Sequence, residues 1–446
     1  MGAASDAARV RHTRWSRIID DVSSGIWISP DTAAPVDVPF KSVIISDDLS
    51  GIEGELVRAA MPAERYAVVC DKDSFEAQGK SVARALAASA VTILLDEPHA
   101  DEAQVAALQE RTRDADALVA VGSGTINDLC KYATALDGRP YCVFGTAPSM
   151  NGYTSTTASI TLHSGLKTTK PAHAAKGVFI DLKVNSAAPA YLIAAGFGDS
   201  ISRSCAQVDW HFSHVMLATP YLEAPYALQK DDEAEILARS GDIGQRDLDG
   251  VGFLQRLLTL TGLGLSVAGM SHPGSMGEHQ ISHWIDSFAG DRHPGTVHGQ
   301  QVGVTSITMA RLQQAILSES RPPKVRPTQV DEDGIRRRYP KAAIEDCLAA
   351  SHAKAFNQSQ CDAFNAKLEA IWPELRARLS AMTVPADELT AHLRNAGGGA
   401  TAAAIGIDRE LYREALIYAR EIRNRYSFLD LAADMGILND FAAGDW

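Results

Sequence analysis

Five short apolar runs alternate with longer helical stretches between residues 41 and 144, and few folds accept that pattern. The runs cover residues 42–46, 66–70, 92–95, 117–121 and 141–144, with helical stretches such as 75–88 and 102–113 between them. A strand that is apolar on both sides has to be covered on both sides. A helix inserted between successive strands makes them parallel. The expected first domain is therefore α/β, a doubly wound parallel sheet.

With 446 residues the chain exceeds one simple core, so two domains are expected. Residues 1–40 carry mixed charge and proline and read as an N-terminal extension, 41–190 as a nucleotide-binding domain, and 191–446 as an all-α domain for metal and substrate. A net charge of −13 argues against nucleic acid or a membrane surface as the main partner. The six cysteines are scattered without a CxxC pair, which suits buried thiols in a reducing cytoplasm. Arginines near the N-terminus are not followed by an apolar stretch, so no secretory signal is read there. The greasy residues 257–270 are short for a membrane span and broken by glycine, and are expected to form a buried helix.

The fourth strand runs into VGSGTINDLCKYATAL. Gly122 and Gly124 at the strand end let backbone N–H groups approach a pyrophosphate, with the helix N-terminus facing its charge; the same turn also occurs with no ligand. Asp71, ending the second strand, is placed to accept ribose hydroxyls or to serve as a surface turn residue. Thr146, Ser149, Asn151 and Ser155 lie in a hydroxyl-rich loop after the fifth strand, where open α/β sheets place ligands. Lys167 and Lys170 follow as anion contacts or solvated lysines.

Four of thirteen histidines fall within residues 273–299. Ser275 and Glu278 form a capping-box pattern that predicts a helix beginning near Gly277. Ile281, Trp284, Ile285 and Phe288 make its apolar stripe, and His279 and His283 share the opposite face with Asp286. Such a face suits a metal or acid–base chemistry, and equally a solvated surface. Asp199 follows two glycines at the expected start of another helix, where an N-cap role is the plain alternative. His298 opens a third helix. One carboxylate and two imidazoles with an open fourth position describe a catalytic metal site. The arginines within residues 409–429 are read as an ion-paired helix face.

Taken together, GSGTINDLCKYAT, GTAPSMNGYTS, GFGDSISR, GSMGEHQISH and VHGQQVGV resemble the sn-glycerol-1-phosphate dehydrogenase family. That family belongs to the group of iron-type alcohol dehydrogenases, glycerol dehydrogenase and dehydroquinate synthase. The resemblance implies a dehydroquinate synthase-like architecture with a cleft between the domains. It implies that Gly122, Ser123, Gly124, Thr125 and Ile126 hold the pyrophosphate of NAD or NADP, and that Thr146, Ser149 and Ser155 contact the cofactor near its nicotinamide. Asp199, His279 and His298 match the metal ligands, with zinc the usual ion and iron or nickel the other candidates. His283 matches a substrate-contacting histidine and is the candidate proton relay; Asp199 is expected beside the substrate and the reaction.

Two departures stand out. The glycine turn is GSG where the family typically has GGG. Asn151 stands where many members have a substrate-binding aspartate, and an amide cannot act as a base. The expected activity is a metal-dependent NAD(P)-linked interconversion of dihydroxyacetone phosphate and sn-glycerol 1-phosphate or a close polyol phosphate. NAD is favoured because Asp71 would repel a 2′-phosphate. The expected assembly is a homo-oligomer, a dimer or higher. The alternatives are a dehydroquinate-synthase-like cyclase using NAD transiently and a non-catalytic nucleotide-binding protein.

Overall fold

Alternate residues along the central strands enter different cores, and this makes the sheet two-sided. Val43 and Ile45, Ala67 and Val69, and Leu118 and Ala120 pack into one cluster. Ile44, Val68, Cys70, Val119 and Val121 pack into another. Ile126, Leu129, Cys130 and Ala133 of the helix Gly124–Asp137 close the first. Leu56, Val57, Val82 and Leu86, from two further helices, close the second.

The computed structural model describes residues 13–444. Its strands are β1 (Val43–Ser46), β2 (Tyr66–Asp71), β3 (Ala90–Leu95), β4 (Ala117–Gly122), β5 (Tyr141–Gly145), β6 (Thr157–Thr161), β7 (Lys167–Pro171) and β8 (Val178–Asp181). Six of them form one parallel sheet in the order β1-β8-β5-β4-β2-β3. The five expected strands are present and β8 is an addition. β6 and β7 pair antiparallel as a hairpin across residues read from sequence only as a loop and a lysine-bearing segment. Ala158 and Ile160 point inward at 1% and 0% exposure, a period-two pattern hidden by its hydroxyl neighbours.

After Asp181 the described residues contain helices and no strand. Those that matter for the site are α1 (Gly124–Asp137), α2 (Ala190–Leu217), α3 (Leu248–Ala268), α4 (Gly277–Phe288) and α5 (His298–Ser318). Among the described residues α3 alone is long and apolar enough to cross a membrane, and 72% of its apolar window is buried in the fold. All six cysteines are free and buried.

Residues 13–15 connect the two halves. The Thr13 hydroxyl donates to the Ile45 carbonyl at 2.7 Å and Trp15 Nε1 to Asp47 at 3.0 Å, both on the sheet side. Arg14 pairs with Asp249 at the start of α3, and the Trp15 ring meets Phe253 of α3 edge-on at 5.4 Å.

Candidate functional site

A cavity of about 610 Å³ is lined both by the strand-bearing N-terminal region and by the helices that follow it. One wall is the turn from β4 into α1. Gly122 is needed there because a Cβ would come within 2.7 Å of Ile126, which packs back over the strand end. Ser123 precedes the helix without capping it by its side chain, so the first-turn N–H groups are left for an anion. Ser123, Gly124 and Thr125 line the cavity, while Ile126 is buried in the core beneath.

The next wall is the loop after β5. Thr146 N–H donates to the Gly122 carbonyl at 3.1 Å, tying the two strand ends together. Ser149 and Asn151 line the cavity. Ser155 lines it too, yet its single O–H is shared between the Gly152 and Thr157 carbonyls and its oxygen accepts from Lys131. Lys131 is fully buried, and its ammonium also donates to those two carbonyls at 2.7 and 2.9 Å. It holds the loop in shape. Asp71 lies away from the cavity lining, at the end of β2, which pairs with β4. Its carboxylate caps the following turn through Ser74 N–H and hydroxyl.

The third wall is helical. Asp199 does not start a helix, as its two preceding glycines suggested; it lies inside α2, which begins at Ala190. The glycines serve packing instead. A Cβ on Gly196 would overlap the Pro148 carbonyl, and one on Gly198 would lie 2.3 Å from the Gly299 carbonyl. Nor does Ser275 cap α4. Met276 takes the cap position, and Glu278 accepts from Met276 N–H at 2.9 Å. The helix is buried on every side from Gly277 to Ile285, which removes the solvated-face reading of its histidines.

Asp199, His279 and His298 each present a ligand atom, all within 4.8 Å of one another. The local chemistry suits a divalent cation. Asp199 Oδ2 accepts from Asn151 N–H at 2.9 Å, whereas buried Oδ1 has no hydrogen-bond partner and lies 3.6 Å from His279 Nε2. His279 Nδ1 meets Glu278 Oε1 at 2.9 Å. A carboxylate there places the ring proton on Nδ1 and leaves Nε2 free to ligate. His298 reaches the same state by a longer chain. Gln301 Nε2 donates to Asp286, so its Oε1 accepts from the Ser282 hydroxyl, whose oxygen is left to accept from His298 Nδ1. Burial, then His279 and Lys167, push the His298 pKa down to about 3, keeping the ring neutral as a ligand must be. Burial also works against a charge on His279, but Asp199 and Glu278 outweigh it and raise its pKa. That proton is the one a cation would displace.

His283 faces the same cavity, with ring centroids 6.1 Å from His279 and 5.4 Å from His298. Asp286, one turn on, is bound by Lys167 at 2.7 Å and His293 at 3.2 Å. Burial alone would raise its pKa, but Lys167, His293 and His298 hold it well below the carboxylate range. The β6–β7 hairpin is thereby tied to the histidine helix. His293, the remaining histidine of the 273–299 stretch, also lies on the cavity wall.

Sequence reading missed Arg423 and Arg425. The helix that was to carry them as an ion-paired face ends at Tyr418, and Arg423 is extended at φ −145°, ψ 146°. Arg423 donates to Ser275 Oγ at 3.1 Å and contacts His283 Nδ1 at 2.9 Å. Arg425 donates to the Ser275 carbonyl and to Ser271 Oγ. The alternation of arginines around exposed Asn424 in RNR was the available signal for an extended segment.

Known proteins bear on this arrangement. The family model for iron-containing alcohol dehydrogenases matches residues 44–189. The chain is similar to glycerol-1-phosphate dehydrogenase [NAD(P)+] of Bacillus velezensis, at 30% identity over 82% of this chain and 84% of that one. It is similar to the Bacillus subtilis protein of the same name at 30% identity, covering 70% and 68% of the two chains. Among solved structures, an archaeal halo-thermophilic alcohol dehydrogenase from a Red Sea brine pool aligns over 91% of this chain and 98% of its own, with TM-score 0.61 and 15% identity. Glycerol dehydrogenase from Schizosaccharomyces pombe aligns over 88% and 87%, with TM-score 0.55 and 14% identity. At those identities the structural likeness concerns the fold.

Proposed function

The chain belongs to the glycerol-1-phosphate dehydrogenase family, and on that premise we propose that it interconverts dihydroxyacetone phosphate and sn-glycerol 1-phosphate, or a close polyol phosphate, with NAD(P) and a divalent metal. The observation that carries this reading is the meeting of Asp199, His279 and His298 on a cavity that the open start of α1 also lines. When bound, the nicotinamide exchanges hydride and the metal polarises the substrate oxygen.

The chain's own residues do the rest. Ser123, Gly124 and Thr125 receive the pyrophosphate on free backbone N–H groups. Asp199, His279 and His298 hold the cation; two imidazoles and a carboxylate suit zinc, with iron or nickel as the other ions this donor set accepts. The tie between Lys167 and Asp286 keeps the hairpin against α4. Asp71, whose carboxylate caps the following turn through Ser74 away from the cavity lining, does not itself decide between NAD and NADP. Asn151 orients Asp199 through its backbone N–H and has no side-chain base to offer.

The test is nicotinamide absorbance with purified protein and a panel of dihydroxyacetone phosphate, both glycerol phosphates and free glycerol. Oxidation of NADH by dihydroxyacetone phosphate, lost on chelation and restored by zinc, is expected. Equal rates before and after complete metal removal would overturn the metal-dependent reading. Turnover of another substrate with no net change in nicotinamide would point to the cyclase.

A further inference from the structure

Three imidazoles face one cavity, and their far nitrogens meet different chemistry. The Nδ1 atoms of His279 and His298 each meet an acceptor, on Glu278 and Ser282. His283 Nδ1 lies 2.9 Å from an Arg423 nitrogen. A guanidinium carries five N–H groups and no lone pair, so it can only donate. His283 Nδ1 is therefore the acceptor, and the single proton of the neutral ring sits on Nε2. Protonating Nδ1 would break that hydrogen bond and set an imidazolium against a guanidinium.

We propose that Arg423 is a positioning residue that fixes His283 as the Nε2–H tautomer, making it a hydrogen-bond donor to the substrate oxygen in place of a proton relay. The same geometry separates His283 from the two ligand histidines, whose Nε2 atoms are the ones left to a cation. A fixed imidazole N–H stabilises charge that develops on an oxygen without itself ionising. Reduction of a ketone adds a hydride to carbon and requires one proton on oxygen. Loss of the Nε2 proton from a neutral ring would leave an imidazolate, so that proton comes from water, and His283 stabilises the oxygen until it arrives.

Arg423 is itself held for this task. Its other terminal nitrogen donates to Ser275 Oγ at 3.1 Å. Arg425, on the same side of the extended segment, is stitched to Ser271 Oγ at 2.7 Å and to the Ser275 carbonyl. Three bonds thus anchor the arginine segment to the turn preceding α4, and a fourth sets the ring.

The proposal rests on the dehydrogenase reading for the identity of the oxygen, whereas the tautomer belongs to the folded chain. The experiment uses protein labelled with ¹⁵N-histidine, with the His283 resonances assigned from their loss in His283→Gln. A neutral Nε2–H ring in the wild type is expected, shifting toward Nδ1–H in Arg423→Met and returning in Arg423→Lys, which keeps a donor and no acceptor. In the dihydroxyacetone phosphate assay, His283→Gln can accept from Arg423 and still present an N–H, but cannot relay a proton. Its kcat should exceed that of His283→Ala by about tenfold or more, with metal content equal. A wild-type ring found as Nδ1–H or as imidazolium overturns the proposal, as do Gln and Ala variants of equal kcat. If Arg423→Met fails to fold, the wild-type spectrum and the Gln-to-Ala comparison still decide it. An enzyme inactive on every polyol phosphate would sink the reaction reading while the spectrum still reported the tautomer.

Discussion

Gly198 of α2 and Gly299 of α5 pack backbone to backbone. A Cβ on Gly198 would lie 2.3 Å from the Gly299 carbonyl oxygen, and one on Gly299 would lie 2.1 Å from the Ala195 carbonyl oxygen. Each glycine is next in sequence to a candidate ligand, Asp199 or His298. The close approach of two helices thus sets the distance between two of the three ligand residues. The obstacle is backbone on both sides, so a side chain there cannot be accommodated by a rotamer change.

Gly198→Ala and Gly299→Ala are each expected to destabilise the protein by about 1–3 kcal/mol, the usual cost of overpacking, and to weaken metal retention as well. Thermal unfolding and metal content after dialysis check both. A variant with normal metal retention and unchanged unfolding would show that the helices need not be this close.

Asp199→Asn should separate the site from the fold. The amide keeps an acceptor for Asn151 N–H, while the buried carboxylate oxygen that lacks a partner is replaced. The change relieves a buried charge but also gives up its 3.6 Å pairing with His279, so the melting temperature of the chelated variant is expected to stay close to that of the chelated wild type, with zinc affinity reduced at least about tenfold. Elemental analysis and a melt with and without chelator measure the two effects. Unchanged zinc binding would remove Asp199 from the ligand set.

Trp15→Ala tests the tie of the N-terminal segment to the sheet and to α3. Trp15 is 2% exposed and donates to Asp47 while its ring packs on Phe253. Truncating a buried aromatic of this size costs about 3–5 kcal/mol. Urea unfolding should reveal a loss of that order; a loss below about 1 kcal/mol would show the segment to be dispensable packing.

Acid should destabilise the fold through His211 and His272. Burial, then Arg378 and His214, lowers the His211 pKa to about 4. Burial, then Arg425 and Arg423, lowers that of His272 to about 3. Each Nδ1 is buried without a partner. In the unfolded chain both titrate near about 6.5, so below that pH the unfolded state binds protons that the native state does not. The stability they contribute is full above about 6.5 and is lost as pH falls toward the folded values. Urea unfolding at pH 7.5 and 5.5 should show a smaller pH dependence for His211→Asn and His272→Asn than for wild type. Equal dependence in all three proteins would rule these two residues out as the cause.

Much of this protein was legible from local pattern. Apolar runs alternating with helices specified a parallel sheet because a strand greasy on both faces needs two covers, and β1 to β5 lie where that rule put them. The period of Ile281, Trp284 and Ile285 likewise set which side of α4 faces the core and which carries His279 and His283. Local pattern erred where a residue's task is set by something distant in sequence. Asp199 looked like a helix cap because two glycines precede it, yet those glycines clear space for Pro148 and Gly299. Glu278 looked like half of a capping box with Ser275; it accepts from the N–H of Met276, the actual cap residue, and the same oxygen orients His279. Arg423 looked like one charge on a helix face and instead ends beside His283. The sequence alone determined which side chains can ligate, donate or cradle an anion, because that is a property of their atoms. Only the tertiary structure decided which imidazole nitrogen meets a donor and which an acceptor, because those partners arrive on other elements through packing.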